Sequence, residues 1–167
     1  ADQINALDVS VQNEIVAVRG VAYASGRYSG DVVILKEGRW KKLTQGLRVS
    51  RVRWLPRSAS SSNPDLNPNP TLAPNAVIAL SYKEGAAHLN RVSTGGQTEL
   101  LLRGSYGEYV GDFSLSPDGT QLVASYKREG SPWNIATLDI SNTDDLSNEP
   151  WTLLTDTSST EASPRFT

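Results

Sequence analysis

Residues 113–140 read FSLSPDGTQLVASYKREGSPWNIATLDI, and the way this stretch divides decides the fold. A short alternating run meets Ser116-Pro117-Asp118-Gly119, which is a turn by its chemistry. Proline presets the first central position, aspartate supplies a side-chain acceptor, and glycine tolerates positive φ. A second apolar run, Gln121 to Tyr126, ends in the charged turn Lys127-Arg128-Glu129-Gly130, and a third follows from Asn134 to Ile140. Strand, tight turn, strand, turn, strand is the only regular pattern here, because no 3.6-residue apolar stripe runs through it.

Working outward, the same pattern recurs in Glu14 to Ala24, Asp31 to Leu35, Trp40 to Thr44, Ala76 to Tyr82 and Trp151 to Thr155. The expectation is an all-β chain with helix nearly absent. It is also repetitive. Leu7-Asp8-Val9-Ser10, Val52-Arg53-Trp54-Leu55, Phe113-Ser114-Leu115-Ser116 and Pro164-Arg165-Phe166-Thr167 read as corresponding inner strands. The strands that follow start near Ile15, Ile78 and Leu122, which are 63 and 44 residues apart. Residues 58–75, rich in proline, serine and asparagine and without alternation, read as an 18-residue insertion, and discounting them brings the first spacing to 45. A period of ~40 to 45 residues is that of a four-stranded propeller blade.

The expected organisation is therefore a partial β-propeller over 1–167: blades at 4–45, 49–103 and 109–157, with 163–167 opening a further one. A ring needs about four or more blades to close without long exposed edges. The expectation is that the remaining blades belong to the same, longer propeller, the other arrangement being closure by a second copy. The missing methionine and the interrupted last motif favour the former.

Composition narrows the chemistry. With 38% hydrophobic residues and a net charge of -2, the 167 residues suit one soluble domain with a real core. No apolar stretch reaches the ~18 residues of a membrane span. The absence of cysteine removes disulfides and thiolate chemistry, and a single histidine leaves little for zinc or for imidazole acid–base catalysis.

The third repeat, with residues 151–167 (WTLLTDTSSTEASPRFT), resembles the WD-like propeller repeat of TolB-type proteins. The likeness lies in the Ser-Pro-Asp-Gly turn after the inner strand, the apolar Leu122 to Ser125, the charged turn, Ile135 to Asp139 as Ile-x-x-x-Asp, and Leu154-Thr155. The first repeat has Val11-Gln12-Asn13 in place of Pro-Asp-Gly, and the second is interrupted after Pro56. The resemblance implies a β-propeller that binds a protein or peptide partner in the bacterial cell envelope, in a periplasmic or other extracytoplasmic setting with a processed N-terminus. Envelope lipoproteins with a terminal propeller fit the same pattern.

Catalytic signatures are missing: there is no nucleophile elbow, phosphate loop or dinucleotide fingerprint. Gly26-Arg27-Tyr28-Ser29-Gly30 reads as a hairpin turn, and His88, at the start of a third strand, as a structural or surface residue. Asp139, Asp144, Asp145 and Glu149 lack the spacing and glycine of a calcium loop and read as a solvated loop. No cofactor and no metal are expected.

Charge is more informative. Residues 36–57 carry eight Lys or Arg against Glu37 alone, whereas residues 104–167 carry ten acids against Lys127, Arg128 and Arg165. Two-residue periodicity puts Arg51 and Arg53 on one side of their strand, and the repeat makes Arg53 and Arg165 equivalent. Arg51, Arg53 and Arg165 are therefore the candidate partner-binding residues. They either project into the channel as donors to a carboxylate or pair with acids on neighbouring blades. Nucleic acid is not expected, since no aromatic platform shares the basic face. Trp40, Trp54, Trp133 and Trp151 are expected on outer, inner, third and outer strands, packed between blades.

The leading functional expectation is a non-catalytic binding scaffold, not an enzyme. One alternative is the access-gating propeller of a prolyl-oligopeptidase-like peptidase, whose catalytic residues would lie elsewhere. Another is a glycan-binding propeller, which requires Trp40 or Trp133 to face solvent. The insertion 58–75 reads as a loop or a partner-binding arm.

Overall fold

The computed structural model describes residues 2–22, 28–56, 76–141 and 151–166. The insertion 58–75 and Asp144, Asp145 and Glu149 lie outside these. Among the described residues there are twelve strands and no helix. They are β1 (Asp2–Val9), β2 (Ile15–Ala22), β3 (Tyr28–Lys36), β4 (Arg39–Lys42), β5 (Val49–Trp54) and β6 (Ala76–Lys83), then β7 (Ala86–Ser93), β8 (Thr98–Arg103), β9 (Glu108–Leu115), β10 (Gln121–Arg128), β11 (Asn134–Asp139) and β12 (Trp151–Leu153). They form three antiparallel sheets, each a simple meander of four consecutive strands. This is the all-β, four-stranded blade architecture that the repeat implied.

The turn motif aligns the three sheets. Val9 pairs with Ile15, Trp54 with Val77, and Leu115 with Leu122, immediately beside each inner turn. In the third sheet the turn is closed by the Gly119 amide donating to the Ser116 carbonyl, with Gly119 at φ +73°. The Asp118 carboxylate accepts from the Ser116 hydroxyl and from the Thr120 amide and hydroxyl. In the first sheet Asn13 takes the left-handed conformation, φ +62°, and its amide donates to the Ser10 carbonyl. Asparagine is the residue that best replaces glycine there, which is why Val11-Gln12-Asn13 makes the same turn without proline.

Each inner strand also carries one irregularity at a corresponding place: Ile4/Ala6 in β1, Val49/Arg51 in β5, and opposite Ala124/Tyr126 in β9. Such bulges bend a strand and increase its twist.

Packing follows the two-residue period. Val77 and Ala79 of β6 join Val16, Val18, Val32 and Ile34 in a core between the first and second sheets. The alternate residues Ile78 and Leu80 join Phe113, Leu122, Ala124 and Leu138 in a core between the second and third. The middle sheet is covered on both sides, which explains why β6 opens with five consecutive buried apolar residues.

Three details differ from expectation. Of the expected turn Gly26 to Gly30, Gly26 and Arg27 lie outside the described residues, while Tyr28, Ser29 and Gly30 belong to β3 and pair with β2. Trp133 precedes β11 instead of lying on it, and residues 155–166, where an inner strand was expected from Ser163, carry no strand pairing. The tail is nonetheless tied to the third sheet, through the Ser163 amide donating to Ser125 Oγ. No helix of the described residues is long and apolar enough to cross a membrane.

Candidate functional site

The inner strands are linked side by side through carboxylates. The Trp54 amide of β5 donates to Asp8 Oδ2 of β1 at 2.7 Å. On its other side β5 is joined to β9 by Arg53, whose Nη2 donates to Asp112 Oδ1 at 3.0 Å. The tail follows the same rule, with Arg165 Nη2 donating to Asp112 Oδ2 at 2.8 Å. Arg51 brings its Nε to 4.0 Å from the same carboxylate. Arg51 and Arg53 thus reach one place, as their two-residue spacing requires.

Each of these arginines is also anchored locally. Nη1 of Arg51, Arg53 and Arg165 donates to the carbonyl of the preceding residue, Ser50, Val52 and Pro164, at 2.9, 3.0 and 2.8 Å. The Arg53 guanidinium additionally sits 5.9 Å from the centre of the buried Phe113 ring. A guanidinium fixed at one edge presents its other edge in a set direction, so less rotamer freedom is lost when it meets a carboxylate.

Asp112 is the residue the sequence reading missed. It follows the bulge of β9 at the place that Arg51 holds in β5, and this reversal of charge at one repeat position was the available signal. Burial alone pushes its carboxyl up. The Arg165 hydrogen bond, the charges of Arg53 and Arg165, and the Phe113 amide outweigh that and hold it below the ordinary carboxylate range. The arginines therefore pair with an acid on a neighbouring blade. Three guanidinium groups still share one carboxylate.

The remaining candidates separate. His88 is the third residue of β7, faces Ser81 across the ladder, and makes no hydrogen bond with it; its Nδ1 is buried without a partner. No group of three or more His, Asp or Glu among the described residues is placed to hold a metal ion. Asp139 accepts from the Ser141 amide and hydroxyl, and these bonds lower its pKa.

Of the tryptophans, Trp151 stacks on Tyr126 with centroids 5.2 Å apart, and Trp54 packs beside the first core. Trp133 lies under the Lys127 ammonium at 5.1 Å. Trp40 departs from the expected packing between blades, with 38% of its surface exposed. β4 is the outermost strand of its sheet, and nothing among the described residues covers that side of it.

No family model matches this chain, and no curated protein matches it. Among solved structures it is similar to the crystal structure of TolB from Acinetobacter baumannii, at a TM-score of 0.60 and 19% sequence identity. The match covers 95% of this chain and 34% of that one, so the chain spans about a third of that protein's length. The fold is a TolB-like β-propeller fold.

Proposed function

We propose that this chain is a non-catalytic binding scaffold of the TolB-like propeller type, which engages a protein or peptide partner in an extracytoplasmic compartment of a bacterial cell. The observation that carries the reading is the charge imbalance around one carboxylate: Arg51 and Arg53 of β5 and Arg165 of the tail all meet Asp112. Arg51 and Arg165 are about half exposed and are free to take a second carboxylate beside the one they share. The Phe113 ring under Arg53 is fully buried and offers a base no stacking surface, which favours an acidic protein segment over nucleic acid. Capture from envelope extract by the wild-type chain and by an Arg51→Ala/Arg53→Ala/Arg165→Ala variant tests this. A salt-sensitive acidic partner should be retained by the first and lost by the second, and equal retention removes the cluster from the reading.

We also infer that a further blade, of the same polypeptide or of a second copy, covers the free side of the first sheet. Leu7, Val52 and Phe113 occupy the same repeat position; Val52 and Phe113 are 0% exposed against a preceding sheet, and Leu7, against which no sheet of the described residues packs, is 50% exposed. Light scattering on this chain distinguishes the two sources, since only closure by a second copy raises its mass above that of one chain. Exposed Trp40 favours one second reading, a glycan-binding propeller, for which Trp40→Ala should abolish binding to a glycan array.

A further inference from the structure

From the cleft between the first and second sheets we infer a second binding site, for a small organic anion. Its position follows from the repeat. Counting from the inner turn, Asp31, His88 and Asn134 are equivalent, and their ladder partners on the second strands are Arg19, Ser81 and Tyr126. Between the second and third sheets Tyr126 fills this level: it is buried, stacks on Trp151 and donates its hydroxyl to Glu108. Between the first and second sheets the equivalent residue is Ser81, and a cleft of about 660 Å³ lies open in front of it. That is within the ~300 to 1,000 Å³ of small-molecule sites.

The same substitution of residues removes a lock. In the first sheet Asp31 accepts from the Thr44 hydroxyl and the Leu47 amide, and Thr44 Oγ1 accepts from the Val32 amide. In the third, Asn134 accepts from the Thr157 amide while Thr155 Oγ1 accepts from the Ile135 amide. In the second, His88 and Arg103 face each other at those places and make no such bonds. His88 Nδ1 is buried without a partner, which leaves Nε2 as the ring nitrogen open to the cleft.

Charge sets the ligand class. Arg48, Lys83 and Arg103 line the cleft with Glu84 as the one acid, while Leu47 and the exposed Leu100 give it an apolar wall. Arg48 and Arg103 have no ion pair among the described residues, and the contact of Lys83 with Glu84 is a loose 3.9 Å between exposed groups. Arg48 stands in the left-handed region, φ +57°, in a connector and not in a hairpin. An arginine there costs about 1 kcal/mol, and such strain is commonest at binding sites. Ser81 and Asn90, joined by a 2.9 Å hydrogen bond, form a fixed polar floor. Cations at the rim, a polar floor and an apolar wall suit a carboxylate or phosphate carried on a small apolar body. The site is separate from the arginines around Asp112 and stands or falls independently of them.

His88 is the chain's one histidine, so its imidazole protons give a single set of NMR signals. Titration with phenyl phosphate and with benzoate, and with phenol as the neutral control, should shift those signals saturably for one or both anions and not for phenol; which anion binds tighter identifies the headgroup. Arg48→Gln/Arg103→Gln should weaken binding about tenfold or more, and Ser81→Tyr, which supplies the ring that Tyr126 supplies next door, should abolish it. Arg53→Ala/Arg165→Ala should leave it unchanged. No saturable shift with either anion, an equal response to phenol, or undiminished binding in the Arg48→Gln/Arg103→Gln variant would overturn the site.

Discussion

Arg53 and Arg165 each place a guanidinium Nη2 on a different oxygen of the Asp112 carboxylate, at 3.0 and 2.8 Å, so one side chain of β9 ties the inner strand before it to the chain segment after it. In a radial fold the inner strands meet only along their edges. A carboxylate shared by two neighbours therefore fixes both the order and the spacing of consecutive blades.

Asp112→Asn should test how much this tie contributes. The variant keeps the shape but leaves the arginines without their anion, and its stability in urea at neutral pH should fall by about 1 to 2 kcal/mol. The pH dependence has a fixed sign. Because the native carboxyl lies below its unfolded value, the stabilisation is fully present above about pH 4 and is lost as pH falls through the lower native value. Wild type should therefore lose stability on acidification below about pH 4 more steeply than Asp112→Asn; parallel acid limbs would show that the ion pairs contribute nothing in solution.

Thr44→Val should be costlier than its conservative shape suggests. Thr44 Oγ1 accepts from the Val32 amide at 2.9 Å and donates to Asp31 Oδ1 at 3.1 Å, all of it buried. Valine leaves the buried Val32 amide unpaired and removes one donor from Asp31, which keeps the Leu47 amide and Lys42, for a loss of about 1 to 3 kcal/mol. Urea unfolding checks this, and amide exchange at Val32 should accelerate if the mechanism is right.

The parts of this fold that are local were legible in the sequence. Ser116 to Gly119 announces its turn, and the alternation in β10 and β11 announces their faces, because both depend on residues next to one another. Asp112 was legible only as a charge reversal at one repeat position, and its partner was not: it meets Arg53 across 59 residues, and only the stacking of blades brings them together. Leu154-Thr155 was recognisable as a repeat ending, yet its purpose, a threonine oxygen capping the Ile135 amide, depends on ladder register that composition does not reveal. Trp40 misled for the same reason, since its size argues for burial while its place on an outermost strand decides against it.

Two glycines should respond differently to alanine. Gly119 needs its left-handed φ of +73°, whereas a Cβ there would meet little more than ordinary contact, so Gly119→Ala should cost about 1 to 2 kcal/mol. Gly104 has no such φ, but a Cβ would fall 2.0 Å from the Ala87 carbonyl oxygen, a backbone atom of β7 that cannot swing aside. Gly104→Ala should therefore lose about 3 kcal/mol or more by forcing β7 and β8 apart. Thermal unfolding of both variants checks the order; a Gly104→Ala protein as stable as wild type would mean that the connector after β8 is set differently in solution.

Alanine at the three equivalent inner-strand positions reports on what covers each sheet. Phe113 is fully buried between the second and third sheets, and Phe113→Ala should cost about 3 to 5 kcal/mol. Val52, equally buried between the first and second, should lose roughly 1 to 3 kcal/mol for the smaller volume removed. Leu7 is half exposed in the single chain, so Leu7→Ala should change its stability by less than about 0.5 kcal/mol. The comparison separates two states of the molecule. If Leu7→Ala costs as much as Val52→Ala, and the cost grows with protein concentration, the first sheet is covered by another copy in solution, because only an associated state makes stability depend on concentration.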